Sequence, residues 1–157
     1  MQLKDYIPNV NRKYAKSFFS GISFDSSKVK KDNIFFAIKG EKFDGNKYIF
    51  DAINKGAKVI ISKKNIKLDD KNVIFLRDNN PRKLLAEISF KLTKKKPKNL
   101  IAVTGTNGKS SIANFYYQIL TLNNKKAGTI GTLGVRSKEV NFDLSNTTID
   151  PIQLGQI

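Results

Sequence analysis

One segment limits what this chain can fold into more than any other. Leu100-Ile101-Ala102-Val103-Thr104 is a continuous apolar run, and Gly105-Thr106-Asn107-Gly108-Lys109-Ser110-Ser111 follows it without a break. Ile112, Phe115, Tyr116, Ile119 and Leu120 then recur at the three- and four-residue spacing of an amphipathic helix. The order is strand, glycine-rich loop, helix. Such a loop lets backbone N–H groups approach an anion closely and directs the positive end of the helix dipole at it. A lysine and a hydroxyl at the helix start complete a polyphosphate site, with Lys109 placed for the β and γ phosphates and Ser110 for Mg²⁺. The strict spacing of the triphosphate loop puts a first glycine at 103, where this chain has Val103, so the match rests on Gly-Lys-Ser and its flanks. The alternative is a glycine-rich strand-to-helix turn with an incidental lysine.

Upstream, strands and helices alternate. Gly21-Ile22-Ser23-Phe24-Asp25 and Ile34-Phe35-Phe36-Ala37-Ile38 read as short buried strands. Tyr48, Ile49, Ala52 and Ile53 predict a helix that stops at Gly56. Val59-Ile60-Ile61 and Val73-Ile74-Phe75-Leu76 read as two further strands, and Asn80-Pro81 opens a helix with Leu84, Leu85, Ile88 and Leu92 on one face. Alternation of this kind gives an α/β domain. Lys94-Lys95-Lys96-Pro97-Lys98-Asn99 has no apolar residue, so residues 1–95 are expected to form one domain, 96–99 a linker and 100–157 a second unit. After the helix only Ala127 to Val135 and Val140 to Leu144 look extended, before a helix start at Asp150-Pro151. A doubly wound nucleotide domain needs more strands, which makes the second unit incomplete and the chain an N-terminal fragment.

Composition removes several kinds of chemistry. The 157 residues include no Cys and no His, so disulfides, thiolate zinc sites, cysteine nucleophiles and imidazole bases are excluded. No apolar run reaches the roughly 20 residues of a membrane span, and the N-terminus lacks the apolar core of a secretory signal. A cytoplasmic location follows as the expectation. The formal charge of +16 raises nucleic-acid binding. However, Arg12, Arg77, Arg82 and Arg136 are the only arginines, and the lysine pairs and triplet are spread between apolar segments, where solvated turns explain them. Phe35, Phe36, Phe75 and Phe90 sit in apolar core patterns rather than as stacking platforms.

Thr104-Gly105-Thr106-Asn107-Gly108-Lys109-Ser110 resembles the phosphate loop of the Mur ligases, ATP-dependent amide-forming enzymes of peptidoglycan precursor synthesis, and that of the folylpolyglutamate synthetases. Asp25-Ser26-Ser27-Lys28-Val29, Asn33 to Gly40, Phe43-Asp44-Gly45-Asn46-Lys47-Tyr48-Ile49 and Ala52 to Ala57 resemble the uridine-nucleotide-binding domain of the Mur ligases, which the synthetases lack. Gly128-Thr129-Ile130-Gly131-Thr132-Leu133-Gly134 and Asn146-Thr147-Thr148 resemble the MurE type, which adds the third amino acid of the stem peptide.

The resemblance implies a small α/β uridine-nucleotide domain followed by the start of a Rossmann-like central domain holding ATP and Mg²⁺. Gly105, Thr106, Asn107, Gly108, Lys109, Ser110 and Ser111 would bind ATP, with Lys109 catalytic and Ser110 the metal ligand. Phe24, Ser26, Glu41, Lys42 and Phe43 would hold the UDP end of UDP-N-acetylmuramoyl-L-alanyl-D-glutamate, and Asn146, Thr147 and Thr148 would grip the substrate. The alternative reading of Ser26 is a turn cap, and that of Asn146 to Thr148 a helix N-cap cluster. Two positions depart from the family pattern: Ser27 stands where Arg is common, and Ile149 where Pro is. The implied reaction joins diaminopimelate or lysine to the dipeptide through an acyl phosphate. The remaining Mg²⁺ carboxylate, a carbamylated lysine and the C-terminal domain are expected beyond Ile157, so the fragment alone should be inactive. The implied partners are the UDP-muramoyl dipeptide and an amino acid, with no nucleic acid, no membrane span and a monomeric state. The rival readings are another Mur ligase, a Lys-rich nucleic-acid module, and a non-catalytic ATP- or UDP-sugar-binding domain.

Overall fold

A computed structural model describes residues 1–41, 43–66, 72–93, 96–144 and 148–155. The chain divides into two compact units, Met1–Lys94 and Lys95–Ile157.

The first unit is built on four parallel strands that lie in the sheet in chain order: β1 (Gly21–Ser23), β2 (Asn33–Ala37), β3 (Ala57–Ser62) and β4 (Ile74–Arg77). Buried β-branched and aromatic residues explain the two central strands. Every residue of β2 is buried, and Val59, Ile60 and Ile61 of β3 are fully enclosed. Strands buried on both faces read as unbroken apolar runs rather than alternating ones. Side-chain alternation nevertheless divides them between two layers. Phe35, Ala37 and Ile60 pack with Ile49 and Ala52 of α2 (Ile49–Asn54). Ile34, Phe36 and Ile61 point to the opposite face, where α3 (Pro81–Leu92) contacts β2 and buries Leu84, Leu85 and Ile88. Each such side chain contributes about 1.5–3 kcal/mol by leaving water.

The helix ends follow from local chemistry. The Asn80 side chain accepts from the Lys83 N–H at 3.1 Å and Pro81 occupies the first turn, so α3 starts where the sequence places it. Before the sheet, a short helix α1 (Leu3–Tyr6) buries Leu3 and sets Tyr6 edge-on against Phe19 at 5.3 Å.

The second unit contains α4 (Lys109–Leu122), the antiparallel strands β5 (Gly128–Gly131), β6 (Gly134–Ser137) and β7 (Asn141–Phe142), and the one-turn helix α5 (Pro151–Leu154). The strand expected over residues 100–104 is not formed. Leu100 is 88% and Ile101 59% exposed. An apolar run becomes a strand only when a neighbouring strand takes up its backbone groups, and β5–β7 pair among themselves. The apolar stripe of α4 is likewise present but exposed: Ile112, Phe115, Tyr116 and Ile119 all lie on the surface. Phe90, expected in the core, is also exposed, whereas Phe35 and Phe36 are fully buried. Among the described residues no helix is long and apolar enough to cross a membrane.

Candidate functional site

The loop ahead of α4 is shaped by its glycines. Gly105 and Gly108 have φ of +148° and +77°, values that side chains with a Cβ rarely adopt, and they turn the chain from the extended segment into α4. Gly108 occupies the N-cap position and offers no side chain to the helix. The first-turn N–H groups therefore have no side-chain cap and face outward as a cluster of donors at the positive end of a 14-residue helix. The Lys109 ammonium bends back onto the loop, donating to the carbonyl oxygens of Gly105 and, at 3.1 Å, Thr106. These bonds hold a full positive charge beside the donor cluster. Asn107 and Ser111 are exposed, and the Ser110 hydroxyl lies 2.5 Å from the Thr132 hydroxyl in the β5–β6 turn.

In the first unit, the loops at the carboxyl ends of the parallel strands carry the other candidates. Phe24 leaves β1 and is 39% exposed. Ser26 opens a 3₁₀ turn, Ser26–Lys28, capped by Asp25, which accepts from the Ser27 N–H and hydroxyl at 2.9 and 2.7 Å. The Ser26 side chain itself is buried and donates to Asp51, the largest cause holding that carboxyl below its ordinary range; the paired Lys55 adds to it.

After β2 the chain makes a tight reversal. Lys39 and Asp44 form an antiparallel bridge, the Gly40 N–H donates to the Phe43 carbonyl at 2.8 Å, and the Gly45 N–H donates to the Ile38 carbonyl at 2.9 Å. A Cβ at Gly45 would stand 2.8 Å from the Ile38 backbone, so only glycine permits this closure. Glu41 is exposed at the tip and Phe43 is 71% exposed. Lys42, Asn146 and Thr147 lie outside the described residues; Thr148 is exposed ahead of α5.

A polar network anchors the reversal from beneath. Asp44 Oδ1 accepts from the Asn46 N–H at 3.0 Å and from its side-chain amide at 2.5 Å, while Oδ2 lies 3.3 Å from the Lys64 ammonium. Asn46 Oδ1 in turn accepts from the hydroxyl of Ser62, which is fully buried at the end of β3, at 2.6 Å. The bonds from the Asn46 side chain and backbone, with Lys64 adding less, pull the Asp44 carboxyl down from its ordinary 3.8 to about 2.

Comparison with known proteins follows the same division of the chain. Residues 19–91 match the model described as "Mur ligase family, catalytic domain", and residues 103–157 match "Mur ligase middle domain". The chain belongs to the Mur ligase family.

Among curated relatives, the UDP-N-acetylmuramoyl-L-alanyl-D-glutamate--2,6-diaminopimelate ligase of Rickettsia prowazekii is 42% identical over 155 residues, covering 95% of this chain and 32% of its own length. The ligase of the same name from Clostridioides difficile is 39% identical, covering 86% of this chain and 28% of its own length. A solved structure of a ligase of that name superposes with a TM-score of 0.78 at 26% identity, over 99% of this chain and 32% of that one. A MurF ligase from Thermotoga maritima, solved with ADP, shares the fold with a TM-score of 0.54 at 24% identity, over 70% of this chain and 25% of that one. The chain thus spans about a third of the length of the Mur ligases it matches.

Two features of the Mur ligase chain escape a residue-by-residue reading. Ser62 reads as the end of an apolar strand, and only the fold brings its hydroxyl to Asn46, 16 positions earlier in sequence. Thr132 lies 22 positions from Ser110 and reads as one residue of a glycine-rich turn.

Proposed function

We propose that the protein carrying this chain is an ATP-dependent ligase of the MurE type, which adds the third amino acid to UDP-N-acetylmuramoyl-L-alanyl-D-glutamate in the cytoplasm. The diaminopimelate named for both curated relatives is the amino acid favoured for this chain, with lysine the alternative. The observation that carries the reading is the superposition of nearly the whole chain on a ligase of that name, phosphate loop included. The chemistry agrees with it. Attack of the substrate carboxylate on the γ-phosphorus expels ADP and forms an acyl phosphate; attack of the amine on the acyl carbon expels phosphate, forms the amide and releases a proton.

In this reading Lys109 leaves the Gly105 and Thr106 carbonyls for phosphate oxygens and stabilises the charge that develops in transfer, while the N–H groups of residues 106–111 cradle the β phosphate. Ser110 offers a hydroxyl to Mg²⁺. The hydroxyl and the phosphates would hold the cation together with the carboxylate expected beyond residue 157, an oxygen donor set that suits Mg²⁺. Held there, Mg²⁺ would neutralise charge on the phosphates during transfer. Phe24, Glu41 and Phe43 would meet the uridine end, where exposed aromatics can stack on uracil, with Lys42 proposed beside them; the buried Ser26 would act through Asp51 by fixing the turn. Residues 146–148 would reach the muramoyl peptide. Catalytic groups of the later domains would lie in the two thirds of the relatives that this chain does not span.

Lys109→Ala in the complete ligase tests the assignment. Loss of a charge-assisted bond of about 1.5–3 kcal/mol lowers ATP affinity about 10- to 100-fold and abolishes turnover, with the far-ultraviolet circular dichroism unchanged. Turnover at the wild-type level refutes it.

A further inference from the structure

The Ser110 hydroxyl has one proton and two lone pairs. As a cation ligand it gives a lone pair to the metal, so its proton has to be drawn away toward an acceptor. Thr132 Oγ1 lies 2.5 Å away, and since either hydroxyl can donate in this pair, it is placed to serve as that acceptor. Its position is fixed independently of α4. The β5–β6 ladder runs through the pair Gly131–Gly134, leaving Thr132-Leu133 as a two-residue turn closed by Gly134 at φ +85°. β5 packs against α4, so the turn presents Thr132 to the start of the helix.

We infer that Thr132 is a positioning residue for the cation of the phosphate loop: by accepting the Ser110 proton, it holds a Ser110 lone pair toward the metal. The inference rests on the nucleotide-and-cation reading of the loop given above. It makes the β5–β6 turn part of the metal site without giving it a direct ligand. Outer partners of this kind typically change metal affinity about 10- to 100-fold when removed.

The test is calorimetric titration of ADP into the wild-type protein, Thr132→Val, Thr132→Ser and Ser110→Ala, each with saturating Mg²⁺ and with EDTA. The readout is the ratio of the two affinities. Thr132→Val is expected to lower that ratio about tenfold while leaving affinity in EDTA unchanged, and Thr132→Ser to restore most of it. Mn²⁺ binding in the presence of ADP, followed by electron paramagnetic resonance, should weaken in the same order. A normal ratio in Thr132→Val beside a collapsed one in Ser110→Ala overturns the Thr132 role and leaves the loop reading intact. Equal losses with and without Mg²⁺ in Thr132→Val overturn it too, because they mark a turn needed only for shape. If Mg²⁺ has no effect on the wild type, or Ser110→Ala is indistinguishable from it, the loop reading falls and the Thr132 role falls with it.

Discussion

Replacing Ser62 by Ala removes a single oxygen from a fully enclosed position and leaves no cavity large enough to matter, so the effect isolates hydrogen bonding. Two bonds are lost: the hydroxyl no longer donates to Asn46 Oδ1 at 2.6 Å, nor accepts from the Lys64 N–H at 3.0 Å. Each is worth about 0.5–1.5 kcal/mol net. Lys64 is exposed and its N–H can turn to water, whereas Asn46 is half-buried and keeps an underused acceptor. The expected cost is therefore about 1–2 kcal/mol rather than the full sum. Amide exchange at Ile60 and Ile61 of β3 reads this directly, because these amides lie in the centre of the parallel sheet and open with the first unit. A double-mutant cycle with Asn46→Ala should return a coupling of about 0.5 kcal/mol or more. Additive effects, with no coupling beyond about 0.3 kcal/mol, would show that the bond does not tie the reversal to β3 and would refute the reasoning.

The Asp44 carboxyl should titrate with a midpoint near 2, seen by side-chain ¹³C shifts; a midpoint near 4 would remove the network from the argument. Because its folded-state value lies below the ordinary 3.8, its contribution to stability is complete above about pH 4 and is lost as pH falls toward 2. Asp25 and Asp51 are shifted in the same direction, so their contributions are also lost on acidification. Asp44→Asn should flatten acid unfolding across that window. Phe43→Ala, at a side chain 71% exposed, should leave stability unchanged and weaken UDP-sugar binding by about 1–3 kcal/mol, the range for a base stacked on an aromatic ring; unchanged affinity by calorimetry would take Phe43 out of the uridine site.

The parts of the fold readable from sequence are those in which local chemistry and burial agree. Phe35, Ile60 and Ile61 announce central strands because a strand enclosed on both faces has to be apolar throughout, and Asn80-Pro81 marks a helix start through its own hydrogen bond and fixed φ. The glycine turn into α4 is legible for the same reason: Gly105, Gly108 and the helix start are contiguous. Leu100 to Thr104 misled because an apolar run records a preference for burial, while a strand also needs a partner. Phe90 misled differently, standing two positions from Ile88 in α3 and so turned to the outer side of the helix. The contacts of Ser62 and Thr132 are invisible in the sequence because their partners are brought to them by sheet order and by a turn.

The strand order of the first unit bears on how the molecule is made. Since β1, β2, β3 and β4 lie side by side in the order of synthesis, each strand leaving the ribosome finds the free edge of its predecessor and never has to insert between two strands already paired. With N-terminal domains folding first during synthesis, the sheet can close before the second unit has left the ribosome. The edge that carries Phe24 and Phe43 is then complete while the turn into α4 is still emerging, and the nascent chain assembles its two units one after the other.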